Sequence, residues 1–209
     1  MAQTTFFSDL GTGSNVYNCC SGWTVGGSGT LGNSFTSANE FMAGATGTVS
    51  QIDLGVGYVE GTNSFFVGLY TASGNAPGTL IDQWNNLSSS TNFGSCCGLI
   101  SITGITGVSL TAGTDYFLVI GPTNLTATTF EAWNMNSQGV NGLDLYATSG
   151  CQNGSGTGCT WNSNGTGNAL GAFDVIGSSG QTVPEPSSLL LLGTGLVGAF
   201  GTIRRKLTK

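Results

Sequence analysis

The side chains able to do chemistry in this sequence are few and of two kinds. From Met1 to Val183 the chain carries nine carboxylates and six cysteines, with no Lys, Arg or His. Ser-His-Asp, Cys-His and Lys-based nucleophile schemes therefore lack their base, and histidine-ligated metal sites are absent as well. Hydrolysis of a glycosidic bond by two carboxyl groups stays chemically open, since it needs only an acid and a second carboxylate flanking the bond. Asp53, Glu60, Glu131 and Asp144 are its candidates, because each sits in or beside an expected strand. Asp53 falls on the outward side of an alternating strand, where solvated surface is its expected state. Glu131 beside Trp133 suits a sugar platform, yet Phe130-Glu131-Ala132-Trp133 is also plain strand alternation. The sequence reads as non-catalytic, with no catalytic residue to name.

Isolated carboxylates with no cationic partner must be solvated, hydrogen-bonded or bound to a cation. Some of them could hold Ca²⁺, which takes oxygen ligands only, although no loop carries a D-x-[DN]-x-[DN]-G pattern. No other cofactor is expected. The cysteines stand as Cys19-Cys20, Cys96-Cys97, and Cys151 with Cys159. An even count favours disulfides wherever a chain matures in an oxidising compartment. Cys151 and Cys159 flank the flexible Gln-Asn-Gly-Ser-Gly-Thr-Gly loop and are expected to bridge. The two adjacent pairs are expected to join each other across the fold, because neighbours on a strand face opposite sides; their connectivity is otherwise open. Four thiolates would suit Zn²⁺, but the C-x₂-C spacing is missing.

Aromatic residues offer a third kind of contact, stacking on a sugar ring. Trp84, Trp133, Trp161 and Tyr146 are available. Trp133-Asn134-Met135-Asn136 adds amides for hydroxyl recognition, and Trp161-Asn162-Ser163-Asn164 lies beside the cysteine-flanked loop. Trp161, Trp133 and Asn134 are thus the candidates for glycan binding, with Trp161 expected to be the exposed one. The competing reading makes Trp133 and Trp23 core residues.

Charge is distributed more sharply than its total implies. All four basic residues, Arg204, Arg205, Lys206 and Lys209, lie at the C-terminal end. A nucleic-acid partner needs Lys or Arg to displace phosphate counterions, so that class is excluded for the body. Charged residues make up 7% of the chain, against roughly 25% in ordinary soluble proteins. With 36 glycines and many Ser, Thr and Asn, the surface must be neutral and polar.

The C-terminal end has its own logic. Ser187 to Ile203 is 17 residues without a charge, which as a helix would reach about 25 Å, the short end of what spans a hydrocarbon core. A basic cluster follows it directly, as on the cytoplasmic flank of a membrane span. With Pro184-Glu185-Pro186 in front and Arg204-Arg205-Lys206 behind, the stretch closely resembles the bacterial PEP-CTERM sorting tail. That resemblance implies recognition by an exosortase-like membrane enzyme during export, a body outside the cytoplasm, and a tail held in the membrane transiently or permanently. Met1 to Phe7 has neither a basic n-region nor a long apolar run, so the sequence is expected to begin near the mature N-terminus.

The elements that position these residues read as strands. Ile52, Leu54, Val56 and Tyr58 alternate with polar or small residues from Ser50 to Glu60, and Phe65 to Tyr70 follows the Gly61-Thr62-Asn63-Ser64 turn. The two are expected to pair as a hairpin. Val16–Val25, Leu80–Trp84, Leu99–Ile105, Val108–Leu110, Asp115–Ile120, Phe130–Met135, Leu143–Thr148 and Ala169–Ile176 bring the number to about nine or ten. The expected fold is all-β, a jelly-roll-like antiparallel sandwich over residues 1–176, then a flexible linker over 177–183. The tail over 184–209 closes the chain, with a single hydrophobic helix at about 187–203.

The body also resembles the choice-of-anchor domains of bacterial surfaces, most closely the R type. The likeness rests on Tyr17-Asn18-Cys19-Cys20-Ser21-Gly22-Trp23-Thr24-Val25, Gly61-Thr62-Asn63-Ser64, Ala76-Pro77-Gly78-Thr79-Leu80, Phe93-Gly94-Ser95-Cys96-Cys97-Gly98 and Leu110-Thr111-Ala112-Gly113-Thr114-Asp115-Tyr116. It implies a surface β-sandwich and brings no catalytic residue with it. Together these readings give an exported structural or adhesive protein of the cell surface or extracellular matrix, associated with exopolysaccharide and open to self-association. A lectin-like module is the first alternative and a carboxylate-based glycan hydrolase the second.

Overall fold

Alternating and continuous apolar runs become strands throughout residues 3–148 and 159–180, which the computed structural model describes. In chain order the elements begin β1 (Gln3–Ser8), β2 (Tyr17–Gly26), a one-turn α1 (Ser28–Leu31), β3 (Thr36–Met42), β4 (Gly47–Leu54) and β5 (Val56–Glu60). They continue with β6 (Phe65–Ala72), β7 (Pro77–Leu87), β8 (Thr91–Asn92), β9 (Ile100–Thr103) and β10 (Ser109–Leu110). The last five are β11 (Asp115–Pro122), β12 (Phe130–Asn136), β13 (Asn141–Ala147), β14 (Asn162–Ala169) and β15 (Phe173–Ser179). The fold is all-β, and every strand pairing is antiparallel except the short β5–β8 contact. The expected hydrophobic helix lies outside the described residues. Among the described residues, no helix is long and apolar enough to cross a membrane.

Three sheets form. One has six strands in the order β14-β13-β3-β11-β6-β7, a second runs β1-β15-β4-β10 with β9 also on β4, and a third runs β2-β12-β5-β8. The expected hairpin between Ser50–Glu60 and Phe65–Tyr70 does not occur. The alternating stretch breaks at Gly55: β4 belongs to the second sheet, β5 pairs with β12 in the third, and β6 pairs with β11 and β7 in the first. A side chain at Gly55 would meet the Tyr17 ring at 2.6 Å, so only glycine lets the chain change sheets there. Gly61, at φ +80°, then turns the chain against Thr128 and toward the first sheet.

The main core lies where the six-stranded sheet faces the other two. Val67 and Leu69 of β6 and Leu118 of β11 pack with Ile52 of β4, Val175 of β15 and Trp133 of β12, all fully buried. Phe173 links the sheets, edge-on to Phe41 at 5.5 Å and tilted to Trp133 at 5.7 Å. Such aromatic pairs add about 0.5–1.5 kcal/mol each beyond their burial. Phe66 and Tyr70 of β6, Phe117 and Val119 of β11 and Leu145 of β13 form a second buried cluster on the opposite face of the six-stranded sheet, as strand alternation requires. Burial on both faces explains why β6 and β11 are continuous apolar runs. The chain divides into a unit over Met1–Ser179 and another over Gly180–Lys209.

Candidate functional site

Adjacent strands β3 and β13 pair Ser37 with Tyr146 and Asn39 with Asp144. Residues two apart on a strand share a face, so these four side chains project together. The Ser37 hydroxyl donates to the Thr24 carbonyl at 3.0 Å, which ties β3 to β2. Trp23 of β2 is fixed by its indole N–H, which donates to the Ala169 carbonyl at 3.0 Å. Between these elements opens a cleft of about 320 Å³ lined by Trp23, Thr24, Phe35, Ser37, Tyr146 and Asn164. It lies at the edges of two sheets, because β2 and β14 are both terminal strands.

Behind the cleft sits a buried polar relay. Asn39 donates to Asp144 at 2.6 Å and accepts the Gly171 N–H at 2.6 Å. Since a backbone N–H can only donate, the Asn39 amide has one orientation. Asn164 donates its amide to the second Asp144 oxygen. Burial pushes Asp144 up to about 6, and the bonds from Asn164 and Asn39 hold it from rising further. With Asp144 ionised, the Asn164 amide is turned toward it and its oxygen is left as an acceptor. Aromatic walls with a few fixed polar groups are the usual make-up of a small-molecule site.

The other acidic candidates do not assemble a catalytic pair around this cleft. Glu131 is fully buried, neither of its oxygens has a partner, and burial raises it to about 8. Asp9 is likewise raised to about 8 by burial, with the Asp174 charge adding to the shift, although its Oδ1 accepts the Phe173 N–H at 2.7 Å. Asp53, expected on solvated surface, is only 8% exposed. Its strand is flanked by β15 and β9 on either side, and Gln51 donates to both of its oxygens, at 3.0 and 2.8 Å. Glu60 is exposed at the end of β5. Among the described residues, no group of three or more acidic, Cys or His side chains is arranged to hold a metal.

The expected glycan contacts are not where the sequence put them. Trp133 is 1% exposed in the main core, its N–H on the Ala172 carbonyl, and Asn134 is also 1% exposed. Neither can meet a surface ligand. Trp161 is half-buried against the second apolar cluster rather than exposed, because Trp161 immediately precedes the edge strand β14 at that face. Trp23, assigned to the core by the competing reading, packs against it while also lining the cleft. Trp23, Phe35 and Ser37 were missed as cleft residues; the sequence signal that did point there was the aromatic followed directly by amides at Trp161-Asn162-Ser163-Asn164, whose Asn164 reaches the cleft.

The cysteines also depart from expectation. Cys96 and Cys97 are joined to each other, and Cys19 and Cys20 carry free thiols 3.6 Å apart. The two pairs are neighbours, since Gly94 donates its N–H to the Cys19 carbonyl at 2.8 Å. The Cys96 sulfur lies against the Tyr17 carbonyl of β2 and the Ser14 carbonyl, and the Cys97 sulfur against Ser14, so neither reaches the Cys19 or Cys20 thiol as a bonded partner. Cys159 is disulfide-bonded; Cys151, its expected partner, lies outside the described residues, as do Pro184, Glu185, Pro186, Arg204, Arg205 and Lys206.

Comparison with curated proteins and with solved structures finds no match to this chain. Residues 182–206 match the PEP-CTERM protein-sorting motif, which marks the chain as an exported protein sorted by an exosortase through a membrane-associated tail.

Proposed function

We propose that this chain is a non-catalytic structural or adhesive protein of the bacterial cell surface or extracellular matrix, delivered there by its tail to lie among exopolysaccharide. The observation that carries the reading is the sorting motif at 182–206 joined to an all-β body without a single basic side chain from Met1 to Val183. Such a body has no electrostatic hold on nucleic acid or on anionic lipid, and its neutral polar surface suits a hydrated glycan matrix. Full burial of Glu131 and Asp144 favours a binding or structural role over hydrolysis, because neither carboxyl is open to a substrate. The aromatic-lined cleft favours a lectin-like role as the second reading. Fractionation of native cells, followed by intact mass of the recovered protein, tests the proposal. The protein is expected in the envelope or extracellular fraction, and deletion of residues 182–209 should abolish that location. Recovery of the unaltered chain from cytosol would overturn it.

A further inference from the structure

We propose that the cleft between Trp23 and Tyr146 is a binding site for a neutral carbohydrate chain, an inference that rests on the extracellular reading above and gives that protein a ligand class and a place to hold it. Three observations converge on the class. Trp23, Phe35 and Tyr146 give the cleft aromatic walls, the surface that the C–H face of a pyranose ring covers, and Trp23 is held in place through its N–H. The Tyr146 hydroxyl, the Thr24 hydroxyl and the Asn164 amide oxygen make no hydrogen bond to another described residue. A purely apolar ligand would leave these groups desolvated and unpaired, which disfavours it. Ligands with many hydroxyls satisfy them.

Charge narrows the class further. No cation stands anywhere in the described body, and the nearest ionisable group behind the cleft is Asp144. Uronic-acid, phosphorylated or sulfated chains would meet repulsion with nothing to offset it. Asp144 acts as a positioning residue: it takes the Asn164 N–H and so aims the Asn164 oxygen at a ligand hydroxyl. The volume of about 320 Å³ lies at the small end of ligand sites, and the opening at two sheet edges lets a longer chain continue past the sugar held inside.

The test uses the full-length protein with soluble neutral gluco-, galacto- and manno-oligosaccharides, and polygalacturonate as the anionic comparison. Titration is followed by tryptophan fluorescence and by calorimetry. A neutral oligosaccharide is expected to bind and polygalacturonate not to. Asn164→Ala and Tyr146→Phe should each weaken binding about tenfold; Tyr146→Phe should leave the thermal midpoint in place, whereas Asn164→Ala also unpairs an Asp144 oxygen and should lower it. Asp144→Asn should preserve the fold yet turn the Asn164 amide around, so it should weaken binding as much as Asn164→Ala does. No binding of any neutral oligosaccharide, binding of polygalacturonate alone, or equal affinity in all three variants would overturn the cleft proposal. A protein recovered from the cell surface that fails these titrations overturns the cleft alone, whereas a cytosolic protein overturns the reading beneath it.

Discussion

Asn39 and Asp144 face each other across β3 and β13 with both groups fully buried and the amide donating to the carboxylate at 2.6 Å. The same Asn39 takes the Gly171 N–H, so one side chain joins the six-stranded sheet to the segment that leads into β15. Asn39→Ala removes both bonds and strands a carboxylate oxygen and a backbone N–H away from water. Buried groups left unpaired in this way cost about 1–3 kcal/mol each, so unfolding in urea should shift by roughly 2–6 kcal/mol. Asp144→Asn keeps a hydrogen-bonding partner for each neighbour and should move the midpoint far less. A small shift for Asn39→Ala would refute the linkage.

Acid should stabilise this protein. Glu131 and Asp9 are both raised by burial to about 8, from ordinary carboxyl values of 4.5 and 3.8. Their folded forms keep a proton that the unfolded chain releases, so their contribution is complete below pH 4 and is lost as pH rises through 8. Each unit of displacement corresponds to about 1.4 kcal/mol. Thermal unfolding should therefore occur at a higher midpoint at pH 5 than at pH 8.5. Glu131→Gln, which cannot ionise, should flatten that dependence. A midpoint that rises from pH 5 to pH 8.5 would contradict the burial of these two groups.

Much of the body was legible from period-two alternation and from turns, and the losses have physical causes. Strands β6, β11, β12 and β13 sit where apolar side chains recur, because packing demands it. Strands β1 and β14 were missed: Asn162–Ala169 has almost nothing to bury, being a polar edge strand whose pairing to β13 shifts register twice. Sheet membership was not legible either, since Gly55 looks like one more small residue in an alternating run and only the Tyr17 ring over it reveals the corner. The cleft was half legible. Tyr146 and Asn164 were noticed as aromatic and amide, but their meeting with Trp23 depends on the pairing order of β2, β3 and β13, which no local pattern encodes.

Gly171 provides a test of how closely the segment before β15 packs on β12. A Cβ there would fall inside contact distance of the Trp133 indole, which is itself 1% exposed and hydrogen-bonded to Ala172. Gly171 is bridged to Met135, and the Trp133 ring is packed in the main core. Gly171→Ala should destabilise by about 1–3 kcal/mol, the range for adding a methyl to a filled core. Gly113→Ala, at φ +72° with open space around it, isolates backbone strain from crowding and should cost about 1 kcal/mol. Equal effects of the two changes would show that Trp133 does not press on Gly171.

Cys20 should be slow to react despite its exposure. Cys20 lies at the surface, but its thiol is shifted upward, first by a hydrogen bond with Cys19 and then by the repulsion a second thiolate would meet 3.6 Å away. The thiolate is the nucleophile, so a raised pKa lowers the reactive fraction at neutral pH. Alkylation of Cys20 by iodoacetamide at pH 7.5 should therefore lag behind a solvent-exposed reference thiol and accelerate above pH 9. Replacing the neighbour, Cys19→Ala, removes both the bond and the repulsion, and Cys20 should then react at the reference rate. Peptide masses should place the labels on Cys19 and Cys20, with Cys96 and Cys97 modified only after reduction, because those two sulfurs are bonded to each other. Labelling of Cys96 or Cys97 in the unreduced protein would instead mean that the two neighbouring pairs exchange partners, with a Cys19 or Cys20 thiolate displacing one of the bonded sulfurs.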